Sequence, residues 1–182
     1  EQALKASIYL QPIIFTVTVV TNVLRIRVLS SRALRSSPCT YYFLVYSIFC
    51  IVCSCVMCPT QILRVFSISW DNTLVGCHTF YYIVWVAPYA CRFMLVLASF
   101  DRYCSSSKSR LLSATSTKRT ARITITATLL FIAVFLIPMI FNYYFDAPAG
   151  VCRQQVSSLS NIYVFSQMAI QYTSAPLAMF IF

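Results

Sequence analysis

Cys77-His78-Thr79-Phe80-Tyr81-Tyr82-Ile83-Val84-Trp85-Val86-Ala87-Pro88-Tyr89-Ala90-Cys91-Arg92-Phe93-Met94-Leu95-Val96-Leu97-Ala98-Ser99-Phe100-Asp101-Arg102-Tyr103-Cys104 decides the fold of this chain. The stretch is apolar for most of its length, with a cysteine at one end and Asp101-Arg102-Tyr103 near the other. As a helix rising 1.5 Å per residue, Cys77 to Arg102 covers about 37 Å. That is enough to cross a bilayer core of roughly 30 Å with some tilt. One end can then sit in an oxidising exterior while the other meets the cytoplasm.

Composition points the same way. Hydrophobic residues make up 59% of the chain and charged residues 10%, against about 45–50% and about 25% in soluble domains. With 2 glycines in 182 residues, a barrel built from many tight hairpins is not expected. Lipid offers no hydrogen-bond partners to the backbone, which leaves helices. Apolar runs at 7–24, 41–66, 75–103, 123–144 and 159–182 predict five transmembrane helices in a single domain over 1–182. The first run lacks the basic leader and small-residue cleavage site of a signal peptide. The fold class expected is all-α, polytopic membrane protein.

The formal charge of +10 is unevenly placed. Arg25, Arg27, Arg32 and Arg35 lie between the first two runs, and Arg102, Lys108, Arg110, Lys118, Arg119 and Arg122 between the third and fourth. The remaining connections hold Arg64 and Arg153, with Lys5 ahead of the first run. The positive-inside rule then places the N-terminus outside. Basic loops of this kind answer topology and anionic lipid rather than nucleic acid, which is not an expected partner.

Trp70, seven residues before Cys77, completes a pattern with Cys77 and Asp101-Arg102-Tyr103. At these offsets, on a membrane-length segment, it resembles the third span and preceding outer loop of rhodopsin-like G-protein-coupled receptors. The resemblance covers nearly the whole chain, as the first five of seven spans. Phe182 falls within an apolar run, so two further spans are expected downstream. The resemblance implies a plasma-membrane receptor that passes an extracellular signal to a heterotrimeric G protein. The sequence shows no catalytic constellation, its one histidine, His78, standing beside an outer cysteine, so neither enzymatic activity nor a cofactor is expected. The resemblance further implies a disulfide between Cys77 and Cys152. It also implies an activation switch in which Asp101 holds Arg102 until the arginine, beside Tyr103, meets the G protein. Structural posts follow from it too: Asn22 as an interhelical hydrogen-bonding residue, Trp70, Pro59 as a helix kink, Pro138, and Pro176 in the fifth span.

The chain also departs from that pattern. Thr21-Asn22 replaces the family's Gly-Asn, the mid-span tryptophan of the fourth helix is missing, and Cys50 stands where a sodium-binding aspartate is usual. A sodium site is therefore not carried over. Val84 stands where amine receptors carry their aspartate, which favours a peptide or lipid ligand, a peptide first. Tyr81, Trp85, Tyr89 and Arg92 recur at helical spacing and are the candidate ligand contacts. Cys50, Cys53, Cys55 and Cys58 suggest paired zinc motifs, but on one membrane helix they are small apolar residues and no metal is expected. Arg92 is costly near mid-membrane without a partner. The visible chain is expected to supply none, so that an acid or polar cluster of a later span would face it. The competing readings are a transporter or channel subunit, with Arg92 on an ion path, and a receptor fragment that does not signal.

Overall fold

The computed structural model describes residues 2–32, 34, 37–66, 68, 70–107 and 116–181, with side chains described from 9 to 173 except 65. The expected basic loop is therefore described only at its two ends, because Lys108 and Arg110 lie outside the described residues. So do Arg35 and the side chains of Lys5 and Pro176. Along the chain run α1 (Gln2–Leu29), α2 (Pro38–Val65), α3 (Leu74–Ser106), α4 (Lys118–Phe135) and a short α5 (Pro138–Asn142). The strands β1 (Tyr143–Asp146) and β2 (Val151–Gln154) follow, and α6 (Ser158–Ile181) ends the described chain.

Four stretches are long and apolar enough to cross a membrane: Tyr9–Leu29, Pro38–Arg64, Leu74–Ser106 and Lys118–Asn142. Large apolar side chains cover their outer surfaces. Val17, Leu130 and Phe131 are each more than half exposed, and a soluble monomer seldom shows apolar patches of such extent. The chain is a mostly helical, multi-pass membrane protein.

Local chemistry sets the helix ends. Pro38 opens α2, where its missing N–H costs nothing. Thr73 caps α3 by accepting from the Gly76 N–H at 3.0 Å, and Thr117 caps α4 by accepting from Thr120 at 3.2 Å. Lys118 and Arg119 then occupy the first turn of α4, the end where the helix dipole disfavours cations. Helix stability gives no reason for them there.

Two expected boundaries fail. The run 123–144 is not one helix: the chain turns at Leu136-Ile137 and restarts at Pro138, and Tyr143 and Tyr144 belong to β1. Pro138 has no N–H to donate back to Val134, so the ladder stops there. The loop expected after it contains an antiparallel hairpin, pairing Tyr143 with Gln154 through Asp146 with Val151. Gly150, at φ 63°, supplies the left-handed residue of its turn, and its N–H donates to the Asp146 carbonyl at 2.8 Å. The first helix is also longer than 7–24, extending to Leu29.

The helix α3 is central, touching α2, α4, α5, α6 and β1, while α1 packs on α2. Two apolar clusters line its length. Near the hairpin, Trp85, Tyr89 and Ala90 meet Ile132, Leu136, Met139 and Tyr143. Towards the other end, Met94 and Ala98 meet Cys39, Tyr42, Ala121 and Ile125. Ala87, Ala90 and Ala98 are fully or almost fully buried, and such small side chains let membrane helices approach closely.

Candidate functional site

The hairpin end of α3 is held by four separate ties. Cys77 and Cys152 are disposed as a disulfide, with Cα atoms 5.6 Å apart, inside the range such a bond requires. The Asn72 side-chain oxygen accepts from the Cys152 N–H at 3.1 Å, which fixes β2 from the other side. Trp70 donates its indole N–H to Thr60 Oγ1 at 3.0 Å and meets Phe80 edge-on. Arg64 pairs with the buried carboxylate of Asp71 at 2.5 Å. Gly76 makes this packing possible, because a Cβ there would lie 2.3 Å from the Trp70 carbonyl oxygen. His78 adds a contact to the Ile140 carbonyl at 2.9 Å, so its ring is engaged with α5.

The aromatic stripe is mostly packing. Tyr81 stacks on Tyr143 with ring centroids 3.8 Å apart, and Trp85 lies in the adjoining core. Tyr89 is 2% exposed, and its hydroxyl is within 2.5 Å of the Gln167 carbonyl and 2.7 Å of Gln167 Oε1. These three candidate contacts pack against α5, β1 and α6, with Tyr81 half-buried and Trp85 and Tyr89 buried.

Arg92 differs from the rest of the stripe. It borders a cavity of about 540 Å³ between α1, α2, α3 and α6, with Tyr46, Cys50, Cys91, Leu95 and Tyr172 among the walls. The expectation that the chain supplies Arg92 with no partner is also corrected. Its Nη1 donates to the Gln171 carbonyl, and its guanidinium stacks 4.9 Å from the Tyr172 ring centroid. Both partners come from α6, one helical turn beyond Gln167. Cys50 and Cys91 also line the cavity, with their Sγ atoms 3.2 Å apart.

At the opposite end of α3, Asp101 is 8% exposed and accepts from Ser116 Oγ at 2.8 Å. Arg102 directs Nε to Cys39 Sγ at 3.3 Å. Among the described residues the ion pairs are Arg64–Asp71 and Arg153–Asp146, so Asp101 does not hold Arg102. Consecutive helix positions point about 100° apart and do not face each other, which separates the two side chains. Tyr103 is about half exposed. A second cavity of about 270 Å³ lies beside Asp101, bordered by Tyr42, Cys104 and Thr120.

Of the expected structural posts, Trp70 reaches across to Thr60 and Asn22 bonds within its own helix. Asn22 is buried, but its Nδ2 donates to the Thr18 carbonyl of its own helix, and Oδ1 has no partner among the described residues. Its position four residues after Thr18 makes the intrahelical bond the shorter reach. Pro59 sits within α2, which continues through it to Val65, and Pro138 opens α5.

Sequence reasoning passed over Gln167, Ser116, Cys39 and Asn72. Gln167 carried a usable signal, since an amide inside an apolar run must find a partner. Ser116 and Cys39 carried none, because their roles depend on which helices become neighbours. Compared with known protein families and with curated proteins, the chain matches none.

Proposed function

We propose that this protein is a cell-surface receptor of seven helices, five of them in this chain, that passes an extracellular signal to heterotrimeric G proteins. The observation that carries the reading is one helix with two different ends. At one end of α3, Cys77 and Asn72 tie it to the β1–β2 hairpin; at the other, Asp101-Arg102-Tyr103 borders the connection into α4. A rigid helix anchored at one face can transmit a ligand-dependent shift to the other. The charge asymmetry supports an orientation with the N-terminus and hairpin outside. A peptide meeting the hairpin face is the ligand class proposed for signalling.

The role of Arg102 changes in detail. Its acid neighbour is engaged with Ser116, so the resting constraint on this end is the Asp101–Ser116 bond rather than an Asp101–Arg102 pair. Arg102 is exposed, and an always-charged guanidinium at a membrane face suits contact with a G protein.

The test is nucleotide exchange on a panel of purified G proteins, using membranes that carry the full-length protein or Arg102→Ala at matched surface density. The reading expects exchange above that of empty membranes for at least one G protein, and its loss in Arg102→Ala. No exchange with any member of the panel, or equal exchange by both proteins, contradicts it.

A further inference from the structure

We propose that Cys50 and Cys91 are a peroxide-oxidisable dithiol, whose disulfide staples α2 to α3 part-way along both helices. Cys77 and Cys152 are already disposed as a pair, and seven described cysteines are free. Cys50 and Cys91 stand on different helices, with a sequence separation of 41 and their Sγ atoms 3.2 Å apart. A disulfide holds its sulfurs at about 2.05 Å, so closure needs a further approach of about 1.2 Å.

The proximity is built into the α2–α3 joint. The two helices touch on either side of the pair, in antiparallel register. Towards one end, Cys39 Sγ lies 3.8 Å from the Ala98 carbonyl. Towards the other, the Arg64 guanidinium sits 5.7 Å from the Phe80 ring centroid. Cys50 and Cys91 fall between these contacts, so side-chain motion can join the sulfurs while the helices stay in place. Further spans packed around this joint leave the two sulfurs in contact. Cys91 Sγ also lies 3.8 Å from the Tyr46 carbonyl, one turn before Cys50, and can donate its weak S–H there while its sulfur stays against Cys50. Rival pairings fit less well. Cys50 and Cys53 are three apart on one helix, where Cβ atoms stand about 5–6 Å apart, beyond the roughly 3.5–4.5 Å that a disulfide spans. Cys53 directs its sulfur to Met57 Sδ at 3.5 Å instead. Two thiolates on one zinc ion, at about 2.3 Å each, stand about 3.8 Å apart. Among the described residues, moreover, no group of three or more metal-ligating side chains forms.

The oxidant is hydrogen peroxide, which is small and uncharged and needs no open cleft to reach a thiol. One sulfur attacks a peroxide oxygen and the O–O bond breaks, forming a sulfenic acid. The leaving hydroxide takes the thiol proton and departs as water. The second sulfur then attacks the first and displaces the sulfenic hydroxyl, which leaves as water with the second thiol proton. Two thiols and one peroxide thus give one disulfide and two waters; the sulfurs lose two electrons and the peroxide gains them. Reactants and products are all neutral, so the reaction leaves no charge in lipid.

The test uses purified full-length protein in phospholipid nanodiscs, prepared without oxygen. It is exposed to hydrogen peroxide, quenched with a maleimide, digested and mapped by mass spectrometry. A peptide pair joined at Cys50 and Cys91 is expected, lighter by two hydrogens than the two thiol peptides together and split by dithiothreitol. Oxidised protein should also melt about 5 °C above untreated protein, both with Cys77 and Cys152 bonded, because a second cross-link constrains the unfolded chain. Cys50→Ser and Cys91→Ser should give no joined peptide and no shift of midpoint with peroxide. A bond between Cys50 and Cys53 in place of the expected one overturns the proposal. So do sulfinic acids at Cys50 and Cys91 without a joined peptide, or free thiols at both under a peroxide dose that oxidises the exposed Cys55. If a serine variant does not fold, the peptide map of the parent protein decides. Because none of these assays reads signalling, a protein that forms this bond but drives no nucleotide exchange refutes the receptor reading and not this one.

Discussion

Single side chains carry much of the order at both ends of α3. Gly76 is the clearest case: a methyl group there meets the Trp70 carbonyl at 2.3 Å and Thr73 Oγ1 at 2.6 Å, neither of which can yield without breaking the cap of α3. Gly76→Ala should therefore cost about 1–3 kcal/mol, as overpacking does, and lower the thermal midpoint of purified protein in detergent. Gly150→Ala meets open space but holds φ 63°, so its cost is limited to the left-handed backbone, about 1 kcal/mol. Asp101 gives a functional contrast. Ser116→Ala removes its hydrogen bond, and Asp101→Asn weakens that bond from charge-assisted to neutral, each by about 1 kcal/mol. Under the receptor reading both raise basal nucleotide exchange by up to about fivefold, whereas Arg102→Ala abolishes it. A drop in surface expression shared by all three variants, with no change in exchange, would mark these residues as purely structural.

Between elements, the decisive joint is α3 to the hairpin. Cross-linking Cys77 to Cys152 closes a loop with a sequence separation of 75. The chain-entropy estimate for that loop is about 4–5 kcal/mol, an upper bound because a membrane already confines the unfolded chain. Cys152→Ser should thus lower the thermal midpoint. Reductant should do the same to the parent protein and add nothing to the variant; an additive effect of reductant would mean a different bond is being broken. A second joint is α3 to α6. Tyr89→Phe removes the hydroxyl that reaches Gln167, leaving buried acceptors short of a donor at about 1–3 kcal/mol. Hydrogen exchange should then quicken in α6 more than in α1, which packs elsewhere. These joints were unequally legible beforehand. Cys77, Trp70 and Asp101 stand at fixed offsets on one apolar run, and spacing along a helix can be counted from the sequence. The Tyr89–Gln167 and Asp101–Ser116 contacts join separate segments, and no periodicity says which face of one helix meets another. The packing of the aromatic stripe was hidden for the same reason. Helical spacing put Tyr81, Trp85 and Tyr89 on one side, but only the neighbours α5, β1 and α6 decide that the side is core.

At the scale of the whole molecule, length and charge dominate. Four stretches long enough to cross a membrane and ten basic residues gathered in two of the connections were plain in the sequence, since apolar length and loop charge are sums over many residues. The break at Leu136-Ile137 was not, because Pro138 is compatible with either a kinked span or a stop, and the two strands beyond it are only four residues long and carry no apolar–polar alternation. The central claim is that α3 crosses the membrane with Cys77 outside and Arg102 inside. Glycosylation mapping tests it directly, since the chain contains no Asn-x-Ser/Thr acceptor of its own. A flexible cassette bearing Asn-Gly-Thr is inserted between Pro148 and Ala149 in one protein and between Leu111 and Leu112 in another, and each is expressed with microsomes. The account predicts an endoglycosidase-sensitive mass increase for the first and none for the second. Modification of the second without the first would invert the molecule, and modification of both would mean that α3 does not cross.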